Sequence, residues 1–394
     1  MGKQLLALTV ACAGLGLCLT ASAAYLDEEE GRRPPEPVPV RPLPPRPIEP
    51  PRHIPPPPPV ADNPLTEAVR RISVGEPYSH GGLTVFPLEM PRVEDSTDYL
   101  SLDEALRRDT LIVMEKGRGS VPVVLAENTG RRPVLLLGGE IVVGGKQNRT
   151  LQEDVLLLPR SGRVELPVLC VERGRWSGHT ETFEKRSSVA ALEVRVLAQS
   201  GAPQEEVWVG VGRYRADIGA SSPGEDLQTL QDSREVQEAV KEYREAFRDH
   251  WRPEMVGMVV ARYGRVVGAD IFCNADVFLK HRERILDSYS VDCYAQGRRR
   301  GREHERLPVP GRWEAERFLE RTLGAHYGWR ESPGAGRLLS VNGPGISGSA
   351  LIHEGALVHA SIFARDEVII LPAPVRPGRP VPRSPERPPY GRHE

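Results

Sequence analysis

The stretch VGMVVARYGRVVGADIF at residues 256–272 is repeated, with substitutions, as SGSALIHEGALVHASIF at residues 347–363. The two stretches align without gaps, and six of the 17 positions are identical. Each places apolar runs on both sides of a central glycine, Gly264 or Gly355, which is typical of a β-hairpin with a tight turn. The repeat predicts two equivalent hairpins in a layered, duplicated α+β half. Chance similarity between two apolar hairpins is the alternative.

Two polar residues interrupt the repeated hairpins. Asp270 and His359 stand two positions apart when the repeats are aligned. In a pseudo-symmetric sheet built from the two hairpins, these side chains are placed to face each other.

Helical periodicity surrounds the hairpins. Apolar residues recur every three or four positions from Ser233 to Trp251, and Asp232 followed by Glu235 predicts the cap of that helix. Two further helices are predicted, one after Asn274 and one from Trp313 to Leu323. Their apolar stripes are narrow, which indicates helices that cover a sheet.

The chain before this half is predicted to form short strands. Between Ile72 and Val211, apolar runs alternate with turn residues, as in an antiparallel structure. The clearest runs are Thr110–Glu115, Val121–Ala126, Val134–Leu137, Val155–Leu158 and Val164–Val171. Turns at Asn128–Gly130 and Arg160–Gly162 are predicted to join neighbouring strands into hairpins. One short helix is predicted at a capping box formed by Ser101 and Glu104.

The predicted fold class is therefore α+β, with a β-rich antiparallel first half at residues 63–220. The second half, residues 221–372, is predicted to consist of the two repeated β-hairpins with covering helices. Proline-rich segments flank this region, and 15 of the 26 residues from Pro34 to Pro59 are proline. Residues 25–62 are predicted to be a disordered spacer and residues 373–394 a disordered Pro/Arg tail. A cell-envelope partner that recognises the proline-rich segments is the alternative to a simple spacer.

Residues 1–24 have the three parts of a secretory signal peptide: Lys3, the apolar run from Leu5 to Leu19, and small residues at Ala21–Ala23. The apolar run is shorter than the roughly 20 residues that a spanning helix needs, so no transmembrane helix is expected after cleavage. We predict export to the periplasm, the cell surface or the medium. If a disulfide forms, Cys273 and Cys293 are the better-placed pair.

Composition argues against several classes of protein. Lys and Arg total 52 against 54 Asp and Glu, which gives a formal charge of -2 and no sign of a nucleic-acid partner. The histidines are scattered rather than spaced as zinc ligands, so no metal site is predicted. The sequence does not indicate a cofactor.

The most unusual polar stretch is GGEIVVGGKQNR at residues 138–149. Lys146 and Arg149 bring positive charge, while Gln147 and Asn148 bring amides that donate and accept hydrogen bonds. The glycines let backbone N–H groups approach an anion closely. These four side chains are therefore predicted to bind a phosphate or carboxylate. The alternative is a β-bulge or tight turn with solvated side chains.

A second polar cluster follows a later apolar strand. Glu172 is a candidate general base, as is Glu140 in the glycine-rich stretch. Arg175 could bind an anion through two parallel hydrogen bonds, and Trp176 could stack on a ring. A surface ion pair between Glu172 and Arg175 is the alternative. Cys170 is predicted to be buried, which disfavours it as a nucleophile because burial raises a thiol pKa.

These two motifs, in this order, resemble the ARG and rhodanese-phosphatase superfamily-associated protein domain family, in which ARG stands for ADP-ribosylglycohydrolase. The resemblance runs from about Ile72 to Phe363, with HGGLTVFP at residues 80–87 and GADIF at residues 268–272. The association with enzymes of ADP-ribose chemistry implies a nucleotide-related ligand. The resemblance carries over no catalytic residue.

We therefore expect an exported protein that binds a small anionic ligand such as a nucleotide, ADP-ribose or a sugar phosphate. A hydrolase with Glu140 or Glu172 as base is one alternative. A non-enzymatic surface scaffold, tethered by its proline-rich spacer, is the other. A pocket shared by the two polar clusters favours a ligand site, whereas separate or flat clusters favour the scaffold.

Overall fold

The computed structural model describes residues 62–91, 97–120, 122–174, 182–220, 225–301 and 308–365. The predicted signal peptide and tail lie outside these ranges, as does the predicted spacer except for its last residue. Within the described ranges, no helix is both long enough and apolar enough to cross a bilayer.

The helices are α1 (Pro64–Arg71), α2 (Leu102–Arg107), α3 (Leu192–Gln199), α4 (Gln204–Ile218), α5 (Leu227–Gln231), α6 (Arg234–Phe247), α7 (Ala275–Arg300) and α8 (Arg312–Leu323). The strands are β1 (Ser73–Val74), β2 (Tyr78–His80), β3 (Leu83–Glu89), β4 (Leu100–Ser101), β5 (Leu111–Ser120), β6 (Val123–Asn128), β7 (Val134–Leu136), β8 (Glu140–Gly144), β9 (Arg149–Leu151), β10 (Val155–Leu157), β11 (Arg163–Cys170), β12 (Glu172–Arg173), β13 (Phe183–Val189), β14 (Glu225–Asp226), β15 (Met255–Arg262), β16 (Arg265–Phe272), β17 (His326–Glu331), β18 (Arg337–Gly343), β19 (Ile346–His353) and β20 (Ala356–Ala364).

The fold class is α+β, as predicted. Among the described residues, nine strands form one large antiparallel sheet in the order β1-β3-β15-β16-β20-β19-β18-β17, with β2 on β3. The two repeated hairpins are β15–β16 and β19–β20, and they pair with each other at the centre of this sheet. The predicted duplicated hairpins are therefore confirmed.

The two hairpins share their turn and their irregularity. Tyr263 and Gly264 have φ of 48° and 81°, and Glu354 and Gly355 have φ of 50° and 78°. Positive φ at both central residues is the geometry of the type I′ hairpin turn, and it explains the glycine in each repeat. The register also shifts at the same aligned position, after Val260 in one hairpin and after Leu351 in the other.

The pairing of β16 with β20 is symmetric under the repeat. Gly268 faces Phe363 and Phe272 faces His359, and each of these pairs is the aligned equivalent of the other. Asp270 faces Ser361, its own aligned equivalent, so a pseudo-twofold axis passes through that pair. The strands outside the hairpins follow the same symmetry, with β3 beside β15 and β18 beside β19.

The chain between β3 and β15 is therefore an insertion into the first copy of the repeat. It forms a six-stranded sheet (β13-β8-β9-β11-β6-β5), a three-stranded sheet (β10-β7-β4) and the helices α2 to α6. The sheets do not divide at residue 220, because β3, which also pairs with β1 and β2, pairs with β15 of the second half.

Two predicted hairpins within the insertion are wrong. The turns at Asn128–Gly130 and Arg160–Gly162 instead carry the chain between two different sheets, from β6 to β7 and from β10 to β11. The reason is that the turns bind each other. The Asn128 side-chain amide donates to the carbonyls of Leu157 and Leu158, and its backbone N–H donates to Ser161 Oγ.

The predicted helices form, but one predicted cap is wrong. Ser101 and Glu104 make the reciprocal capping box of α2, and Asn274 caps α7. Asp232 does not cap α6, because it ends α5 and its carboxylate accepts from Arg186 and Gln228.

Helices α1, α3, α4 and α5 were not predicted. In α4, the run of valines and glycines hides a helical period that is visible only in its buried residues, Val207, Val211, Tyr214 and Ile218.

Helices pack on both faces of the large sheet. Helices α1 and α8 pack on its outer face, where Leu65 and Phe318 join a buried apolar cluster. Helix α7 and part of the insertion, including α6, pack on its inner face. Phe272, Phe278 and Leu192 lie there in another cluster. The inner face is therefore the boundary between the duplicated sheet and the insertion.

Candidate functional site

The structure brings together most of the residues predicted from the two polar motifs. The backbone N–H of Asn148 donates to Glu172 Oε2 at 3.0 Å, and Gln147 Nε2 donates to the carbonyl of Glu172 at 2.9 Å. The Asn148 amide also donates to Asp226 Oδ1 at 2.9 Å. All three predicted residues are buried. Their polar groups are thus used to connect strands inside the protein.

Arg149 is fully buried at the centre of this polar cluster. Its Nη1 donates to Gln147 Oε1 at 3.2 Å and to Cys170 Sγ at 3.0 Å, and its Nη2 lies 3.8 Å from Glu115 Oε1. Burial raises the pKa of the Cys170 thiol although Arg149 opposes that shift. Cys170 is therefore held as a neutral thiol. Cys273 and Cys293 are also thiols, so the disulfide considered for them is not formed.

The second glycine pair of the motif, Gly144 and Gly145, lies beside a carboxylate of the protein itself, that of Glu115. The backbone N–H of the half-buried Lys146 donates to Glu115 Oε1 at 2.8 Å. A Cβ atom on Gly145 would lie 2.7 Å from that same oxygen, so only glycine allows the approach. The close approach of backbone to an anion that these glycines allow is here made to the protein's own carboxylate.

Glu140 lies apart from Glu172. It stands at the opposite end of β8 from the Asn148 turn, and its Oε2 accepts from the backbone N–H of Leu137 at 2.9 Å. Its Oε1 is 3.3 Å from Arg284 Nη2. Burial raises the pKa of Glu140, and the nearby Arg284 guanidinium opposes that shift. Arg175 and Trp176, the other two predicted ligand-binding residues, lie outside the described residues.

A second buried ionic cluster, which we call the interface network, joins the insertion to the large sheet. His359 Nδ1 is 2.7 Å from Asp154 Oδ2, and His359 Nε2 is 3.4 Å from Asp270 Oδ1. Arg195 Nη1 donates to Asp270 Oδ2 at 3.2 Å, and its Nη2 donates to Ser361 Oγ at 2.9 Å. Asp270 and His359 thus meet across β16 and β20, as the repeats suggested, although they are diagonal neighbours and Asp270 directly faces Ser361.

The charges of the interface network are set by its neighbours. Burial alone would lower the pKa of His359, but Asp154 and Asp270 outweigh that effect and raise it to about 9. Burial alone would raise the pKa of Asp270, but Arg195 and His359 hold it well below its usual range. His359, Asp270 and Arg195 are therefore ionised at neutral pH, and the charge of Asp270 lies between two opposite ones.

The first glycine pair of the sequence motif belongs to this interface network. Gly139 has a φ of +92°, and a Cβ atom there would lie 2.4 Å from Arg195 Cγ. The carbonyl of Gly138 accepts from Gln199 Nε2 at 2.8 Å, and its N–H donates to Asp154 Oδ1 at 2.8 Å. The GGE stretch is therefore explained by close packing against α3.

A cavity of about 460 Å³ opens beside this network on the inner face of the large sheet. We call it the sheet-face cavity. One wall comes from the loop between β9 and β10 and from the C-terminal end of α3, and the floor comes from the last strands of the sheet. Its lining residues are Gln152, Glu153, Val196, Ala198, Gln199, Ser200, Gly201, Arg330, Ser340, Val341, Asn342, Ser347, Gly348, Ser349, Phe363 and Arg365.

The two copies of the repeat differ at this cavity, which lies on the second copy. Ser349 on the cavity floor is the aligned equivalent of Met258, which is fully buried in the apolar cluster under α6 and α7. The inner face of the first copy is thus apolar and covered. In the second copy Leu338 and Leu351 join the same cluster, but Ser347 and Ser349 line the cavity instead.

Charged groups stand at two sides of the sheet-face cavity. Glu153 Oε2 lies 3.1 Å from Arg330 Nη1, and burial raises the pKa of Glu153 although Arg330 opposes that shift. Arg365 Nη2 donates to Asn342 Oδ1 and to the carbonyl of Ile346, both at 3.3 Å. Nowhere in the described ranges do three or more His, Cys, Asp or Glu side chains form a group that could hold a metal ion.

The sequence model of one family, the ARG and Rhodanese-Phosphatase-superfamily-associated Protein domain, matches residues 71–363. This span contains most of the large sheet, the whole insertion and the cavity apart from Arg365. The chain belongs to this family. No curated protein and no solved structure gives a significant match to it.

In this ARG and rhodanese-phosphatase-associated domain, sequence reasoning did not find the lining of the sheet-face cavity. Glu153, Arg330 and Arg365 are single charged residues in unremarkable contexts, and nothing local connects them. One signal was available in the repeat itself, because Ser347 and Ser349 replace Val256 and Met258 within an otherwise apolar pattern. Polar substitutions on the inner face of only one copy indicate a surface that does not need to be covered.

Proposed function

We propose that this domain binds a small anionic molecule with a ring system, such as a nucleotide, ADP-ribose or a sugar phosphate, in the sheet-face cavity. The observation that carries this proposal is the cavity itself. Its volume of about 460 Å³ falls within the roughly 300–1,000 Å³ of small-molecule sites, and it combines an apolar patch with a few convergent polar groups.

Arg365 supplies the attraction for an anion. Its hydrogen-bond partners, Asn342 Oδ1 and the Ile346 carbonyl, are both neutral. No carboxylate of the described residues lies within ion-pair distance of it, so its charge is available to a ligand. Arg330 also lines the cavity but already pairs with Glu153. An anionic group is therefore expected to contact Arg365 first.

The remaining lining residues suit a ring that carries hydroxyl groups. Phe363 and Val196 provide an apolar surface, while Ser347 and Ser349 offer hydroxyls on the sheet floor. Gln199 Oε1 is buried and has no hydrogen-bond partner among the described residues, so a ligand hydroxyl would satisfy it.

The test is a calorimetric titration of ADP-ribose, ADP and ribose 5-phosphate into the wild-type protein and Arg365→Ala. We expect at least one compound to bind, and the variant to bind it at least about tenfold more weakly, because a charge-assisted hydrogen bond contributes roughly 1.5–3 kcal/mol. Arg234→Ala is the matched control, since Arg234 is an exposed arginine paired with Glu238 on α6. The proposal fails if no compound binds, or if Arg365→Ala binds as tightly as the control.

A hydrolase is the second candidate, and one observation favours it. Glu153 lines the cavity with its side chain only 14% exposed, and burial raises its pKa, as suits a general base. Glu140 and Glu172, by contrast, make their contacts inside the protein. Chromatography of the bound compound after incubation tests this candidate. A hydrolase would turn it over and lose that activity in Glu153→Gln, whereas a binding domain returns it unchanged with either protein.

A further inference from the structure

Helix α8 carries a row of three large side chains on one side. Trp313, Arg317 and Arg321 are spaced four residues apart, and they form one wall of a groove of about 410 Å³. The opposite wall is the start of β16, and the floor includes Phe318 and Ala364. We call this feature the tryptophan–arginine groove. It belongs to the helix that covers the outer face of the large sheet, away from the sheet-face cavity.

The two arginines of the row outnumber the one carboxylate that lines the groove, Glu314, and no ion pair joins Glu314 to either of them. Trp313 is 58% exposed, and Arg317 lies over its ring at 5.7 Å from the centroid. Neither Arg317 nor Arg321 has an ion-pair partner within the described part of the chain. Like charges four residues apart on a helix repel each other. The same helix does pair a cation elsewhere, because Arg312 Nε lies 2.7 Å from Glu316 Oε1.

A second pair of an exposed tryptophan and an arginine elsewhere on the surface differs in how its charge is compensated. Trp329 is also exposed, and Arg337 lies 4.9 Å from the centroid of its ring. There, however, Arg337 Nε is 3.4 Å from Glu331 Oε1, so its charge is compensated within the protein. An exposed tryptophan with an arginine beside it therefore does not by itself leave an uncompensated charge. The row on α8 keeps two cations that an external partner can neutralise.

The spacing of the row points to the shape of that partner. Residues four apart on a helix are separated by about 6 Å along its axis. Alternate side chains of an extended peptide are separated by roughly 6.6 Å and point the same way. A row of three sites about 6 Å apart therefore matches three alternate side chains of one extended strand.

We propose that the tryptophan–arginine groove docks an extended acidic segment of a partner protein. An aromatic residue of that segment packs on Trp313. Carboxylates two and four positions later pair with Arg317 and Arg321. Tryptophan and arginine are the residues that most often dominate binding energy at protein interfaces. This docking site is independent of the ligand proposed for the sheet-face cavity.

The test uses a short fluorescein-labelled peptide with a tyrosine followed by glutamates two and four positions later, titrated with the full chain in fluorescence anisotropy. We expect saturable binding that weakens with added salt. Arg317→Ala and Arg321→Ala should each weaken it by roughly two- to fivefold, as for exposed ion pairs, and the double variant by more than Arg317→Ala alone. Trp313→Ala should weaken it as well. Trp329→Ala and Arg337→Ala should leave it unchanged.

A second peptide of the same composition, with its glutamates one and three positions after the tyrosine, controls for general charge attraction. We expect it to bind more weakly, because its carboxylates alternate away from the row. Equal binding of the two peptides, or an effect of Trp329→Ala as large as that of Trp313→Ala, would overturn the proposal. Competition by inorganic phosphate as effective as that by the unlabelled peptide would also overturn it, since the groove would then be a simple anion site.

Discussion

His359 Nδ1 and Asp154 Oδ2 lie 2.7 Å apart, although the two residues are 205 positions apart in the chain. The imidazole comes from β20 of the large sheet, and the carboxylate comes from the insertion. Both side chains are buried, and Asp270 lies on the other side of the imidazole. The ion pair therefore ties the insertion to the duplicated sheet.

Stability should depend on the protonation of His359. Its pKa in the folded protein is about 9, above the ordinary value of 6.5 that applies to the unfolded chain. The protonated imidazole thus stabilises the fold fully below about pH 6.5, and this contribution is lost as the pH rises through about 9. A difference of this size corresponds to roughly 3 kcal/mol. Urea unfolding from about pH 6 to about pH 10 should show that loss in the wild type.

The variant His359→Gln isolates this contribution from other groups that titrate at high pH. It should be less stable than the wild type at neutral pH, and its stability should fall less between neutral and alkaline pH. His326→Gln, which changes an exposed histidine of β17, should follow the wild-type profile. Parallel profiles for the wild type and His359→Gln would show that the imidazole is not charged in the folded protein.

Arg149 and Arg365 should differ in how much they contribute to the free energy of unfolding. Arg149 is buried among polar partners, and removing one member of a buried ionic cluster typically costs about 3–5 kcal/mol. Arg149→Met should therefore lower the free energy of unfolding strongly, whereas Arg365→Ala should change it by less than about 1 kcal/mol. Chemical denaturation measures both. A stable Arg149→Met protein that no longer binds ligand would instead place the ligand site at the glycine-rich motif.

Gly139→Ala should destabilise the fold through a steric clash. The added Cβ would meet Arg195 Cγ at 2.4 Å, and Arg195 is held by the interface network. Gly162→Ala is the matched control, because Gly162 also has a positive φ but has no atom within 4 Å of the added Cβ. Both variants suffer the left-handed backbone penalty of roughly 1–2 kcal/mol, and Gly139→Ala should lose about 1–3 kcal/mol more. Equal melting temperatures would show that α3 can move away.

We propose that the protein is exported, on the pattern of residues 1–24. Expression in a bacterial host should give a mature chain that starts at Ala24 or within a residue or two of it, because Ala21–Ala23 meets the small-residue rule for cleavage. N-terminal sequencing of material from the periplasm and the medium checks this. Substituting Ala23 with a bulky residue should leave the precursor uncleaved. A chain that keeps Met1 and stays in the cytosol would contradict export.

The features that the sequence determined by itself are local ones. The two hairpins follow from apolar runs around Gly264 and Gly355, because a type I′ turn needs positive φ where glycine costs least. The capping box of Ser101 and the helix after Asn274 follow from hydrogen bonds between residues only three apart. The contact between Asp270 and His359 could also be predicted, because the repeat relates the two strands by symmetry.

Tertiary structure alone decided the sheets and the sites. An apolar strand satisfies its hydrogen bonds equally well beside many neighbours, so local pattern could not show that β3 pairs with β15 across the whole insertion. Likewise, Arg149 has the same chemistry in a ligand site as in a buried cluster, and only the position of Glu115 and Cys170 assigns it to the latter. The sheet-face cavity depends on Glu153 and Arg330 meeting from distant segments, since a cavity is created by which surfaces pack and which do not.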